Sequence, residues 1–332
     1  AFGSIASAQN VNFKVLEDDP ALLKNLLVYF EPFYGEAWGA SRANLGYRLG
    51  AHWTMNDHLQ AELQMQRPYN SFFDFTYGDA VDGLGVHNKE SDEFKLSKFV
   101  NLVGSFTFAQ KEQYRPIKVV LKSSSTSTYT TTTYITPKGT INKKFNLRGG
   151  LYRYNSTIVF GDGEGALGAI TTADGDVLSL YGANDAEGNE IFYEYNTLNW
   201  GVSERVTCLV AGISIQSLKN LRINADGYGN CANSTFMDFY IDVLFAPLPN
   251  ISDVSYDGVT YNVSEGGINT IETSNLGFRC GYRYQFAKRF LNLGVESELG
   301  VRPGMKGKGY YLNFGVMLPL VGFKVPKLAP KA

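Results

Sequence analysis

Two neighbouring stretches of this chain alternate apolar and polar residues with a period of two. Leu45, Tyr47, Leu49, Ala51 and Trp53 are interleaved with Asn44, Gly46, Arg48, Gly50 and His52. Beyond Thr54-Met55-Asn56-Asp57-His58, Leu59, Ala61, Leu63 and Met65 are interleaved with Gln60, Glu62, Gln64 and Gln66. Successive side chains of a strand point to opposite faces, so each run predicts a strand with one apolar and one polar face. The residues between them have turn chemistry. Pairing Trp53 with Leu59 gathers every apolar side chain of the hairpin on one face.

The C-terminal third repeats the pattern. Leu276, Phe278, Cys280, Tyr282, Tyr284 and Phe286 alternate with Gly277, Arg279, Gly281, Arg283 and Gln285. After Ala287-Lys288-Arg289, Leu291, Leu293, Val295 and Leu299 alternate with Asn292, Gly294, Glu296 and Glu298. A last run places Tyr310, Leu312, Phe314, Val316, Leu318 and Leu320 on one face, with Asn313 and Gly315 on the other. Less regular strand-like runs lie at residues 25–34, 99–109, 117–122, 145–154, 206–216, 221–225 and 237–245. Weaker ones fall within 157–181 and 254–263. The total is about 14 strands, an even number as in bacterial single-chain barrels.

A soluble sandwich also alternates, and three details favour a membrane barrel instead. The runs are about ten residues long, the length a tilted strand needs to cross a bilayer. Aromatic residues (Tyr47, Trp53, Tyr284, Phe286, Tyr310) sit toward the ends of the apolar rows. The polar rows carry small residues and both signs of charge, as suits a wet or ion-paired lumen. A closed barrel also leaves no unpaired backbone in lipid.

Composition agrees. The 332 residues are 44% apolar and 19% charged, yet no apolar run is long enough for a transmembrane helix. The mean hydropathy is −0.16 because the apolar residues are spread over alternate positions. The net charge of −2 argues against a nucleic-acid-binding protein, which usually shows a basic face.

Connection lengths alternate. Short ones are expected at 55–57, 110–116, 217–220 and 287–289. Long ones are expected at 68–95, in the Ser/Thr-rich run 123–140, and in the acidic Gly-rich stretch 161–199. In a transmembrane barrel the short turns face the periplasm and the long loops face outside. Ala6-Ser7-Ala8 followed by Gln9 has the small-x-small form of a signal-peptidase site. The expected organisation is therefore a signal-peptide remnant (1–8), a periplasmic lead (9–24), a barrel (25–320) and a periplasmic tail (321–332).

The closing segment Lys308-Gly309-Tyr310-Tyr311-Leu312-Asn313-Phe314-Gly315-Val316-Met317-Leu318, with Gly281-Tyr282-Arg283-Tyr284 before it, resembles outer-membrane β-barrel proteins of Gram-negative bacteria, in style those of the Bacteroidota. The resemblance implies an outer-membrane location, with lipid and lipopolysaccharide as surroundings. It departs from the family in one respect: twelve residues from Val321 follow the last strand, where the family usually ends on an aromatic. That Lys- and Pro-containing tail, like the loops, is a contact point for other outer-membrane proteins in this reading.

The charges expected to face the lumen are Arg48, Glu62, Arg222, Asp238, Asp242, Arg279, Arg283, Glu296 and Glu298. Taking Ala287 opposite Phe290 puts Arg279 opposite Glu298 and Arg283 diagonal to Glu296. Arg222 is placed to meet Asp238 and Asp242, and Arg48 to reach Glu62. Such pairs either lock the wall and fill the lumen or filter solutes by charge. The acidic residues of 161–190 lack EF-hand spacing and read as a solvated loop. Cys208 and Cys231 flank 217–220, but their phases differ, so a disulfide requires a bulge. Cys280 falls on the apolar row. His52, His58 and His87 have no spaced partners for a triad or metal site, so no catalysis and no cofactor is expected. Three readings remain open: a porin-like channel for small solutes, a non-channel barrel subunit of a larger outer-membrane complex for secretion, uptake or barrel assembly, and, more distantly, a soluble exported or viral β-sandwich.

Overall fold

The computed structural model describes residues 3–8, 11–20, 26–37, 43–82, 94–125, 129–160, 200–252, 254–256, 259–261, 273–287 and 292–321. In chain order the strands are β1 (Gly3–Ala8), β2 (Phe13–Asp18), β3 (Leu26–Ala37), β4 (Ala43–Thr54) and β5 (Leu59–Pro68). After a short helix α1 (Phe75–Asp82) come β6 (Lys98–Pro116), β7 (Val119–Ser125), β8 (Tyr129–Ile135), β9 (Lys138–Phe160), β10 (Trp200–Ala225) and β11 (Gly229–Phe245). The remainder are β12 (Asn250–Ile251), β13 (Val254–Tyr256), β14 (Val259–Tyr261), β15 (Thr273–Ser274), β16 (Leu276–Ala287), β17 (Asn292–Val301), β18 (Gly304–Met305) and β19 (Tyr310–Val321).

Ten of these strands form a closed antiparallel barrel. They hydrogen-bond in the order β11, β16, β17, β19, β3, β4, β5, β6, β9, β10, and β10 pairs with β11 to complete the ring. The all-β barrel expected from the alternation is present, with ten strands rather than about 14. Four strand-like runs account for the difference. Residues 206–216 and 221–225 are parts of the single strand β10, because the polar residues between them are paired on both sides, Lys219 with Ile141 and with Thr235. Residues 117–122 enter a separate sheet as β7, and 254–263 contribute only the small β13–β14 hairpin. Of 157–181, residues 157–160 finish β9 and the rest lies outside the described residues.

Both sequence-derived hairpins exist, each shifted by two residues. Trp53 pairs with Ala61 rather than Leu59, and Ala287 with Asn292 rather than Phe290. A shift of two keeps every side chain on its face, which is why the apolar and polar rows survive it.

The apolar row points outward on every barrel strand. Phe33, Leu49, Leu63, Leu102, Leu151, Ile213, Ile241, Phe278, Leu299 and Phe314, one from each, are all at least 42% exposed. Soluble proteins rarely expose apolar surface continuously around a whole molecule. Charge resumes where the row ends, at Lys143 and Arg153 on β9. Ten residue steps of tilted strand separate them, about 25 Å, the height of the apolar band of a transmembrane barrel.

At the end holding the Met55–His58 turn, β6, β9, β10 and β11 run on past the ring. There β2 pairs with Leu221–Ala225 of β10, and β1, β8 and β7 form a three-stranded sheet. Ile117, Val119, Leu121, Ile135, Leu221, Ile223, Ala225 and Cys231 make a separate buried apolar core. The Ser/Thr-rich run, expected as a loop on the far side, is instead at this end as β7, β8 and the start of β9. Its polar residues on both faces carry no apolar period, so the alternation that marks the other strands is missing. Residues 110–116, expected as a short turn, continue β6.

Candidate functional site

The polar row points inward and fills the middle of the barrel. Its central feature is a chain of ion pairs in which carboxylates and guanidiniums alternate: Glu31, Arg48, Glu296, Arg283, Glu62, Arg148, Asp242, Arg279, Glu298. Arg48 Nη1 lies 3.2 Å from Glu31 and 2.9 Å from Glu296. Arg283 donates from Nε to Glu296 at 3.0 Å and from Nη2 to Glu62 at 2.8 Å. Arg148 stands 3.8 Å from Glu62 and donates from Nε to Asp242 at 3.0 Å. Arg279 donates from Nε to the same carboxylate at 2.9 Å and lies 3.6 Å from Glu298. None of these side chains is more than 7% exposed.

Tyrosines and glutamines fill the space between. Arg148 packs over the Tyr240 ring at 4.3 Å and Arg48 over Tyr34 at 4.6 Å. Tyr311 donates to Glu298 Oε1 at 2.7 Å, and Tyr240 donates to its Oε2. Gln64 donates to Tyr29 at 2.9 Å and to Glu296 at 3.1 Å. Two glycines make room: Gly50 faces the Tyr29 ring and Gly281 the Tyr240 ring, where any β-carbon would overlap the aromatic atoms. Toward the long-connection end, Arg302 forms a two-pronged pair with Glu36 at 2.6 and 2.7 Å and lies 3.9 Å over Tyr311. A charge pair taken from water is stabilising only when its remaining hydrogen-bonding groups are satisfied; these partners supply that for Glu62, Glu296 and Glu298, whereas Glu31 has only its ion pair with Arg48.

Seven of the nine charges expected in the lumen belong to this chain. Arg279 and Arg283 contact Glu298 and Glu296 as expected, but the two-residue shift makes Arg283 and Glu296 the directly opposed pair. Arg48 reaches Glu31 and Glu296, not Glu62, because it pairs in register with Gln66. Asp238 lies beside the chain, 3.9 Å from Arg148. Arg222 is elsewhere: the continuous β10 carries it into the turn-side extension, where it pairs with Glu17 at 3.0 Å and is 31% exposed. The chain's other two members, Arg148 and Glu31, were not among the expected charges; neither were Arg302 and Glu36. Leu147 and Leu151 fix the parity that turns Arg148 inward. Glu31 is harder to see, because an irregularity between Glu31 and Tyr34 breaks the alternation of β3.

Cys208 and Cys231 are both buried, and no disulfide joins them. Cys208 faces the barrel interior and Cys231 pairs with Ile223, fifteen residues further along β10, or about 50 Å of strand. His52 is buried at the turn-side end of the lumen, and His58 Nδ1 is 3.0 Å from the Thr107 carbonyl. His87, the acidic stretch 161–190 and the tail 322–332 lie outside the described residues.

No family model matches the chain. No curated protein matches it. Among solved structures it is similar to the Salmonella typhi OmpF complex with daunomycin, at 6% identity over 93% of this chain and 97% of that one, with a TM-score of 0.19.

Proposed function

We propose that the chain is an integral outer-membrane β-barrel that does not conduct, and that it serves as a subunit of a larger outer-membrane assembly. The single observation that carries this is the contact between Arg283 and Glu62. They belong to β16 and β5, which are five places apart in the ten-strand ring and so face each other across it. Side chains that meet at 2.8 Å from opposite walls leave no solute path between them. The apolar outer belt supports lipid and lipopolysaccharide as its surroundings. The turn-side extension, with its own core, supports a docking platform on the periplasmic side rather than the bare turns of a porin.

Affinity capture of the full chain from native membranes tests the subunit role. The expected result is a defined set of partner chains that stays bound in mild detergent and is lost when residues 3–18 are removed. A chain that purifies alone would overturn it.

A further inference from the structure

Between the ion-pair chain and the turn-side mouth the barrel is not filled. A cavity of about 470 Å³ is left there. Its inner wall is made by inward residues nearer the turns than the ion-pair residues: His52, Gln60, Gln216, Phe236, Asn142 and Lys144. Glu62, the next inward residue after Gln60 on β5, and Asp238, the next after Phe236 on β11, are both buried against Arg148, so the cavity ends on the ion-pair chain.

Four of these side chains are at least nine-tenths buried, yet their polar atoms find no protein partner. They are His52 Nδ1, Gln60 Oε1, Asn142 Oδ1 and both the Oε1 and Nε2 of Gln216. Buried polar groups in native proteins are almost always hydrogen-bonded. Here donors and acceptors lie within one small space, and the deep groups are neutral except for Lys144, which donates to the Asp57 carbonyl at 3.1 Å. Phe236, its ring tilted against that of His52 with the centroids 5.3 Å apart, adds one apolar face.

We infer that this vestibule is a binding site for a neutral, polyhydroxylated ligand of one or two sugar rings, entering from the turn side. A hydroxyl both donates and accepts, so it satisfies an amide oxygen or an amide nitrogen equally well. A polycation would meet the carboxylates of Asp19, Asp57 and Glu112 only at the exposed mouth, and a polyanion only Lys144. An extended peptide would find no free strand edge, because every wall strand is paired on both sides. The size is that of an ordinary small-molecule pocket.

Maltose and N,N′-diacetylchitobiose, titrated into the full chain in detergent, are the probes, with spermidine and inorganic phosphate as charged controls. Binding is read by calorimetry and by protection of His52 from diethylpyrocarbonate, located by mass spectrometry. The expected result is saccharide binding that protects His52 and weakens about tenfold or more in Gln216→Leu and in Asn142→Leu, each removing hydrogen bonds to the ligand. Absence of saccharide binding to the unmodified chain, stronger binding of a charged control, or unaltered affinity in both folded variants would overturn the assignment. The His52 protection needs no variant to fold.

Discussion

Arg283 and Glu62, 221 positions apart in the chain, meet at 2.8 Å in the middle of the barrel. Glu62 also lies 3.8 Å from Arg148, and Arg283 also binds Glu296, so the contact joins two halves of one charge chain. Backbone pairing closes the ring around its circumference; this contact ties it across its diameter.

Removing Arg283 takes away the guanidinium that Glu62 and Glu296 share, leaving Glu62 with Arg148 at 3.8 Å and Glu296 with Arg48 at 2.9 Å. Arg283→Ala leaves Glu62 and Glu296 facing each other and should destabilise the barrel by about 3–5 kcal/mol. Urea unfolding in detergent, followed by the loss of heat-modifiable migration, measures it. Replacing Arg283 and Glu62 together by Met should cost less than the sum of the two single changes, because the two residues are in contact.

Gly281 and Tyr240 predict a size-dependent defect. Gly281→Val forces a side chain into the Tyr240 ring and should cost about 1–3 kcal/mol by overpacking. Tyr240→Ala in the same chain should restore part of that loss. Equal stability of Gly281→Val and the parent would show that the ring is free to move away.

The outer belt predicts depth-dependent tolerance. Leu151→Arg places a charge on the outward face within the apolar band and should cost about 2–4 kcal/mol in a lipid environment. Arg153, two residues along the same face, already carries a charge at the band's edge, and Arg153→Leu should leave folding into vesicles nearly unaffected.

The cysteines give a chemical check. Cys208 and Cys231 are too far apart along β10 to bond. The denatured, unreduced chain should therefore take up three thiol labels by mass spectrometry. Uptake of one label only would contradict the register of β10.

Much of the barrel was legible because period two is indifferent to small errors of register. A hairpin misplaced by two residues still turns Arg279, Arg283, Glu296 and Glu298 inward. What alternation cannot supply is the third dimension. Glu62 meets Arg283 only because ten strands close, and closure is a property of the whole ring rather than of any hairpin. Local irregularity hid the rest. The break in β3 masked Glu31, and the Gly149-Gly150 pair beside Arg148 blurred the parity of β9. The polar stretch 217–220 looked like a turn because its chemistry is that of a turn. Pairing on both sides keeps it a strand and carries Arg222 out of the lumen.

Single-channel recording of the purified chain in planar bilayers is the most direct test of the closed lumen. The ion-pair chain predicts an electrically silent barrel when insertion is verified independently. Stable unitary current steps from the unmodified chain, with a reversal potential shifted by Arg279→Ala and Arg283→Ala, would contradict it and restore these residues as a charge filter.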